Sequence, residues 1–290
     1  MEPALTALLD LLRLETIDTT VFRGASQDLG WGRVFGGQVL GQALSAAETT
    51  VTRERQVHSI HAYFLRPGDA SRPIEYRVDP IRDGRSFSTR RVVAHQGERA
   101  IFNLSASFQR AETSFDHADE APSSVPPPEE LLSHSELARE WTAGLPEALQ
   151  KSATAKRPIE IRPVDPSDPR SPTPGPPRHR AWLKAVSQLP SDPRLHTQLL
   201  SYASDFHFLT ASLRPYGVSW LTPGIQVASL DHAMWFHRPF RVDDWLLYDV
   251  ESPSASGSRG LARGRFFDRA GRLVASSVQE GLIRDRRESA

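Results

Sequence analysis

Apolar and polar residues follow the same order of periods twice along this chain. Over residues 37–49, Val39, Leu40, Ala43, Leu44 and Ala47 recur at helical spacing. Runs of strand type follow at 74–78, 86–94 and 100–109. Asp83-Gly84 and Gln96-Gly97 stand between them as turn signals. Over residues 195–209, Leu195, Leu199, Leu200, Ala203 and Phe206 again mark one helix, and strand-like runs at 245–251, 258–267 and 273–283 follow, punctuated by Ser256-Gly257 and Ala270-Gly271. Before each set of strands stands a related segment. These are His61-Ala62-Tyr63-Phe64-Leu65-Arg66-Pro67 and His232-Ala233-Met234-Trp235-Phe236-His237-Arg238-Pro239. One apolar helix and a hairpin-linked antiparallel sheet, twice, predicts an α+β layout. The small residues Gly36, Gly37, Gly41, Ala43, Ala46 and Ala47 predict that the first helix approaches a sheet closely.

Proline separates the two patterns. Of 23 prolines, 13 lie from Pro122 to Pro177. Proline fixes φ and removes a donor, so long helix or central strand is disfavoured there. Residues 128–151 still carry a helical pattern in Leu131, Leu132, Leu137 and Trp141. The expected organisation is an N-terminal domain at 1–112, a proline-rich linker with a short helix at 113–178, and a C-terminal domain at 179–290. That resolves a 290-residue chain into two domains of ordinary size.

Composition narrows the function. Lys+Arg and Asp+Glu are 35 each, so the basic excess usual for duplex binding is missing. Hydrophobic residues at 39% suffice for a packed core. With no cysteine, thiolate metal sites, disulfides and thiol nucleophiles are excluded. No apolar run is long enough to span a bilayer. Met1-Glu2-Pro3-Ala4 has no signal-peptide character, and Glu288-Ser289-Ala290 is no peroxisomal address. The expectation is a cytoplasmic protein with neither a membrane nor a nucleic acid as partner. Gly-x-Gly-x-x-Gly, Walker and Gly-x-Ser-x-Gly patterns are missing.

The ordered motifs resemble the acyl-CoA thioesterase II family, the TesB-like double-hotdog thioesterases. They are Val34-Phe35-Gly36-Gly37-Gln38-Val39, Val57-His58-Ser59, Arg82-Asp83-Gly84, Tyr202-Ala203-Ser204-Asp205, Asp231-His232, Trp245-Leu246-Leu247-Tyr248 and Val278-Gln279-Glu280-Gly281. The resemblance covers nearly all the chain outside the proline-rich stretch. It implies two tandem hotdogs, each a long central helix wrapped by a curved antiparallel sheet, that hydrolyse fatty acyl-CoA to fatty acid and CoA. It implies no cofactor and no metal, and self-association into dimers or tetramers. It assigns catalysis to Asp205 in the second central helix, to Ser229 and to Gln279. Many relatives carry Thr at the Ser229 position, and Ser lacks the methyl that stiffens χ1.

The residue types suit the chemistry. A carboxylate accepts a proton from water. Ser and Gln each offer a donor and an acceptor to orient it. A thiolate leaves without help from a covalent nucleophile. Read alone, Asp205 is an ordinary polar residue among apolar ones, Ser229 a commonplace hydroxyl and Gln279 the outward position of a strand. Arg238, Arg259 and Arg263 are candidates for CoA phosphates, against the plainer reading of solvated arginines. His232 and His237 with Asp231 match no zinc spacing. His58 or His61 in isolation would suit a hotdog dehydratase, yet their flanks follow the thioesterase pattern. A non-catalytic acyl-CoA-binding protein is the competing class, and it has no need of a water-activating acid.

Overall fold

The structure, a computed structural model, describes residues 1–30, 32–144 and 146–287. The terminal Glu288-Ser289-Ala290 lies outside the described residues. The first half runs α1 (Pro3–Leu12), β1 (Glu15–Asp18), β2 (Val21–Gly24), α2 (Gly36–Thr49), β3 (Arg55–Phe64), β4 (Ile74–Asp83), β5 (Phe87–Gln96) and β6 (Arg99–Arg110). The proline-rich stretch holds α3 (His134–Thr142), α4 (Glu147–Ala153) and β7 (Ile159–Pro163). The second half runs β8 (Arg178–Ala185), α5 (Pro193–Ala203), α6 (Thr210–Leu213), β9 (Ile225–Ser229), β10 (Asp231–Phe236), β11 (Leu246–Ser256), β12 (Arg259–Phe267) and β13 (Leu273–Asp285).

The strands form one antiparallel sheet in the order β1-β2-β4-β5-β6-β3-β10-β13-β12-β11-β8-β7, with β9 paired to the far end of β13. Read outward from its centre, the order is the same in both directions, so the halves are related by a pseudo-twofold. The fold is a double hotdog. The seam is the repeated segment itself: β3 and β10 pair with His232 opposite Ala62, Ala233 opposite His61 and Met234 opposite Ile60. The His61 and Trp235 rings meet edge to face across it, with centroids 5.2 Å apart.

Helix α2 is buried along 11 of its 14 residues. Leu40 and Leu44 are fully enclosed, each burial worth roughly 1.5–3 kcal/mol. Its glycines meet a second helix as well as the expected sheet. A Cβ on Gly37 would fall 2.2 Å from the Tyr202 carbonyl, and one on Gly41 would fall 3.2 Å from the Gln198 carbonyl. Gly37 and Gly41 therefore admit the backbone of α5, the other central helix, while Gly36 meets Phe64 of β3. Glu48 at the end of α2 accepts from Gln198 Nε2 at 2.6 Å and from Thr197 Oγ1 at 3.2 Å on α5. Burial pushes its carboxyl up to about 8 against those bonds.

The second helical run departs from expectation. It is not one helix over 195–209, because α5 stops at Ala203 and α6 starts at Thr210. His207 takes φ 58° between them, a left-handed conformation that costs a non-glycine residue roughly 1 kcal/mol and cannot continue a right-handed helix. Its ring lies between those of His134 and His179, with centroids 5.4 and 5.7 Å away.

The proline-rich stretch also carries more than one short helix. Its strand β7 is the sheet's last strand, where the missing donor of Pro163 is tolerated. Ala121, Val125, Leu131 and Val164 pack on Trp182, Trp245, Leu247, Phe267 and Leu273 in a second core. Trp182 Nε1 donates to the Pro126 carbonyl at 2.9 Å.

Candidate active site

The turn at 204–209 carries Asp205. It is held from behind by Ser204, whose buried carbonyl accepts from Tyr248 Oη at 2.9 Å. Asp205 therefore sits just past the C-terminus of α5 and not within the central helix. Across from it begins α2. The Gly37 N–H, in the first turn of that helix, donates to Asp205 Oδ2 at 3.0 Å. A helix start leaves such N–H groups free for an anion. A Cβ on Gly36 would lie 2.6 Å from the same carboxylate oxygen, so this approach requires glycine.

Strand register supplies the other two residues. Ser229 ends β9 opposite Gly281 of β13. Gln279 is two residues back along β13 and therefore on the same face. Gln279 is 1% exposed, so it points inward and not to solvent. Its Nε2 donates to Ser229 Oγ at 2.8 Å. Burial pushes the Asp205 carboxyl up to about 7, while hydrogen bonds from Gln279, from the Gly37 N–H and from Ser229 pull it down. The structure thus brings Asp205, Ser229 and Gln279 together and adds the backbone of the first hotdog to them. Gln38 and Gln42, in the first two turns of α2, are buried and hold the first hotdog together. Gln42 Nε2 donates to the Leu11 carbonyl at 2.7 Å, and Tyr76 Oη donates to Gln42 Oε1 at 2.6 Å.

His232 is a residue the sequence did not mark as part of this group. It is fully buried, with Nδ1 2.5 Å from Gln279 Oε1 and Nε2 2.9 Å from Ser204 Oγ. Burial pushes its pKa down to about 4, so it is neutral at pH 7. The Gln279 Nε2 faces Ser229 and the acid, which turns its Oε1 to His232 and puts the ring proton on Nδ1. The Asp-His pair was the available signal. Asp231 beside it accepts from the Glu280 N–H at 2.7 Å and ties β10 to β13 next to Gln279.

The three arginines considered for phosphates lie elsewhere. Arg259 and Arg263 share the outer face of β12, while Ala262 between them is buried opposite Gln279. Arg259 pairs with Glu280 at 3.0 Å and Arg263 with Glu251 at 2.7 Å. Arg238 is held by Asp116, by the His117 carbonyl and by the Leu273 carbonyl. Strand alternation puts Arg259 and Arg263 on the face of β12 away from Gln279. The other histidines have ordinary partners: His58 Nε2 meets Ser107 Oγ at 2.8 Å and His237 Nε2 meets Ser276 Oγ at 2.9 Å. Among the described residues no cluster of three or more His, Asp or Glu side chains is arranged to hold a metal ion, and no helix is long and apolar enough to cross a membrane.

Comparison with known proteins agrees over the whole length. Residues 26–109 match the family model for the acyl-CoA thioesterase N-terminal domain, and 150–282 match that for acyl-CoA thioesterase. The chain is 43% identical over 284 residues to acyl-CoA thioesterase 2 of Haemophilus influenzae, covering 98% of this chain and 99% of that one. It is 42% identical over 282 residues to human acyl-coenzyme A thioesterase 8, covering 94% and 88%. The crystal structure of acyl-CoA thioesterase II TesB2 from Mycobacterium marinum superposes with a TM-score of 0.77 at 40% identity, covering 97% and 99%.

Proposed function

The chain belongs to the acyl-CoA thioesterase family and hydrolyses acyl-CoA thioesters, and on that premise we propose that water held by Asp205, Ser229 and Gln279 attacks the thioester carbonyl directly. One observation carries this reading. The Asp205 carboxylate, held by the Gly37 N–H at 3.0 Å, stands beside a part-buried Gln279–Ser229 hydrogen bond, and burial raises its pKa to about 7. A base with that pKa is half ionised near neutrality, the range in which general bases work best.

Asp205 takes a proton from the water as its oxygen bonds to the carbonyl carbon. Gln279 and Ser229 orient the water, and the N-terminal end of α2 lends its positive dipole to the negative charge that develops. The tetrahedral adduct collapses by breaking the carbon–sulfur bond, releasing CoA thiolate and the fatty acid. His232 acts through Gln279 by fixing which end of the amide faces the acid.

Three further expectations belong to the same reading. Residues 1–112 and 179–290 act as the two hotdog units around the proline-rich stretch at 113–178. The chain works in the cytoplasm. It self-associates into dimers or tetramers, which light scattering of the purified protein tests.

Single turnover in oxygen-18 water tests the mechanism. Direct attack puts the label in the fatty acid and none in Asp205. Label in the Asp205 carboxylate would show an acyl-enzyme anhydride instead. Asp205→Asn should fold and lose about a thousandfold in kcat, within the range general bases contribute.

A further inference from the structure

Glu48 is a buried acid that the chemistry above does not use, and it lies at the opposite end of the central helix pair from Asp205. Helices α2 and α5 run antiparallel. Gly37 meets the Tyr202 carbonyl, Gly41 meets the Gln198 carbonyl, and Glu48 meets the side chains of Gln198 and Arg194. Gly37, Gly41 and Glu48 fall on one face of α2. Glycine lets two backbones approach, but it presents no side-chain ridge for the facing helix to interlock with. Contact at Gly37 and Gly41 therefore sets how close the helices come and leaves their axial register to other groups.

A clasp at the far end supplies that register. Gln198 Nε2 donates to Glu48 Oε2 at 2.6 Å, and Thr197 Oγ1 lies 3.2 Å from Glu48 Oε1. Arg194 reaches back from α5, its guanidinium donating to the carbonyls of Glu48, Val51 and Thr52 at 2.8, 3.2 and 2.7 Å. Arg194 and Asp192 are the charged groups that face the Glu48 carboxyl. Glu48 and Thr197 are both buried. Slippage in either direction would strand buried polar groups, which costs more than the bonds themselves contribute.

The near end of the same pair is the reaction centre. Glu48 lies about 16 Å along α2 from Gly37, whose N–H donates to Asp205 Oδ2 at 3.0 Å. A hydrogen-bonded helix moves as a rod over that length, and Asp205 stands two residues past the end of α5. We propose, on the hydrolytic reading above, that Glu48 is a positioning residue for the reaction. With Thr197, Gln198 and Arg194 it fixes the register of α2 against α5, and that register seats Asp205 against the start of α2.

The test separates this role from plain packing. Glu48→Leu removes the carboxyl and keeps an apolar side chain, while Glu48→Gln keeps an acceptor for Gln198. The Gly37 amide, followed by NMR after nitrogen-15 glycine labelling, reads its bond to Asp205 directly and should titrate with that carboxyl. In Glu48→Leu the Gly37 signal should move and lose this titration. Its kcat should fall about tenfold with KM within twofold. The acid limb of kcat/KM should also shift to higher pH, because the Gly37 N–H holds the Asp205 pKa down. Glu48→Gln should restore all three at pH 7. If Glu48→Leu does not fold, Gln198→Leu, at a half-buried position, should show the same shifts. A lower Tm with the Gly37 signal and the acid limb both unmoved overturns the proposal. No hydrolysis by the unaltered chain overturns the hydrolytic reading instead, and the Gly37 signal then decides the register alone.

Discussion

His232 donates its Nδ1 proton to Gln279 Oε1 across 2.5 Å, inside a pocket that excludes solvent from both side chains. The bond decides which end of a nearly symmetrical amide faces Asp205 and Ser229. With the amide reversed, a carbonyl oxygen would face the carboxylate and repel it.

Variants at His232 separate this role from packing. Asn can place a donor where Nδ1 stands, whereas Gln reaches only the Nε2 position. His232→Asn should keep kcat within about tenfold, and His232→Gln should lose roughly a hundredfold with KM little changed, as loss of an oriented hydrogen bond at a reacting centre implies. Equal losses in both, tracking equal falls in Tm, would reduce His232 to a core residue.

On the proposed mechanism Asp205 must be ionised to take a proton, so kcat/KM should rise with pH through about 7, where burial has raised its pKa. Gln279 and Ser229 both hold that pKa down. Ser229→Ala should therefore move the acid limb to higher pH as well as lower its plateau. A limb that stays in place while the plateau drops would mean that Ser229 does not act on the carboxylate.

Gly36→Ala is a one-methyl change with a defined collision. The new carbon would meet Asp205 Oδ2 at 2.6 Å and Phe64 Cε1 at 2.9 Å. Since the Asp205 turn gives way more easily than the α2 backbone, kcat should fall by at least a hundredfold while far-UV circular dichroism is kept. Near-normal kcat in this variant would show that Asp205 need not sit against the helix start.

Glu48 predicts a stability effect far from the chemistry. The unfolded chain releases this proton near 4.5, but the folded chain holds it to about 8. A raised folded pKa gives stability that is present below 4.5 and is lost as pH climbs to 8. Glu48→Gln keeps an acceptor for Gln198 or Thr197 and removes the titration. Its Tm should exceed that of the unaltered chain by a few degrees at pH 8.5, and the gap should close toward pH 4.5. A gap that does not change with pH would rule out Glu48 as the source.

Local pattern made much of the fold legible. Helix α2 and strands β5, β6, β12 and β13 fall within two residues of the apolar periodicity at nearly every end. The glycines of α2 showed that something packs closely, but only the tertiary fold shows that it is α5. Asp205, Ser229 and Gln279 were visible through family motifs and not through spacing, because contacts 50 and 168 residues long leave no local trace. The surroundings of the arginines stay hidden for a related reason. A sequence shows a charge but not the acid across the strand that holds it, nor the strand face on which it lies.

The bond from Gly37 to Asp205 joins residues 168 positions apart, and Gln279 lies a further 74 residues along the chain. Synthesis proceeds from the N-terminus, so the first hotdog can collapse around α2 well before β13 leaves the ribosome. No growing chain brings Asp205, Ser229 and Gln279 together until β13 has emerged. Termination before β13 yields a protein without Gln279 and without the strand that walls the site. On the proposed mechanism, copies that stop short of β13 draw nothing from the acyl-CoA pool.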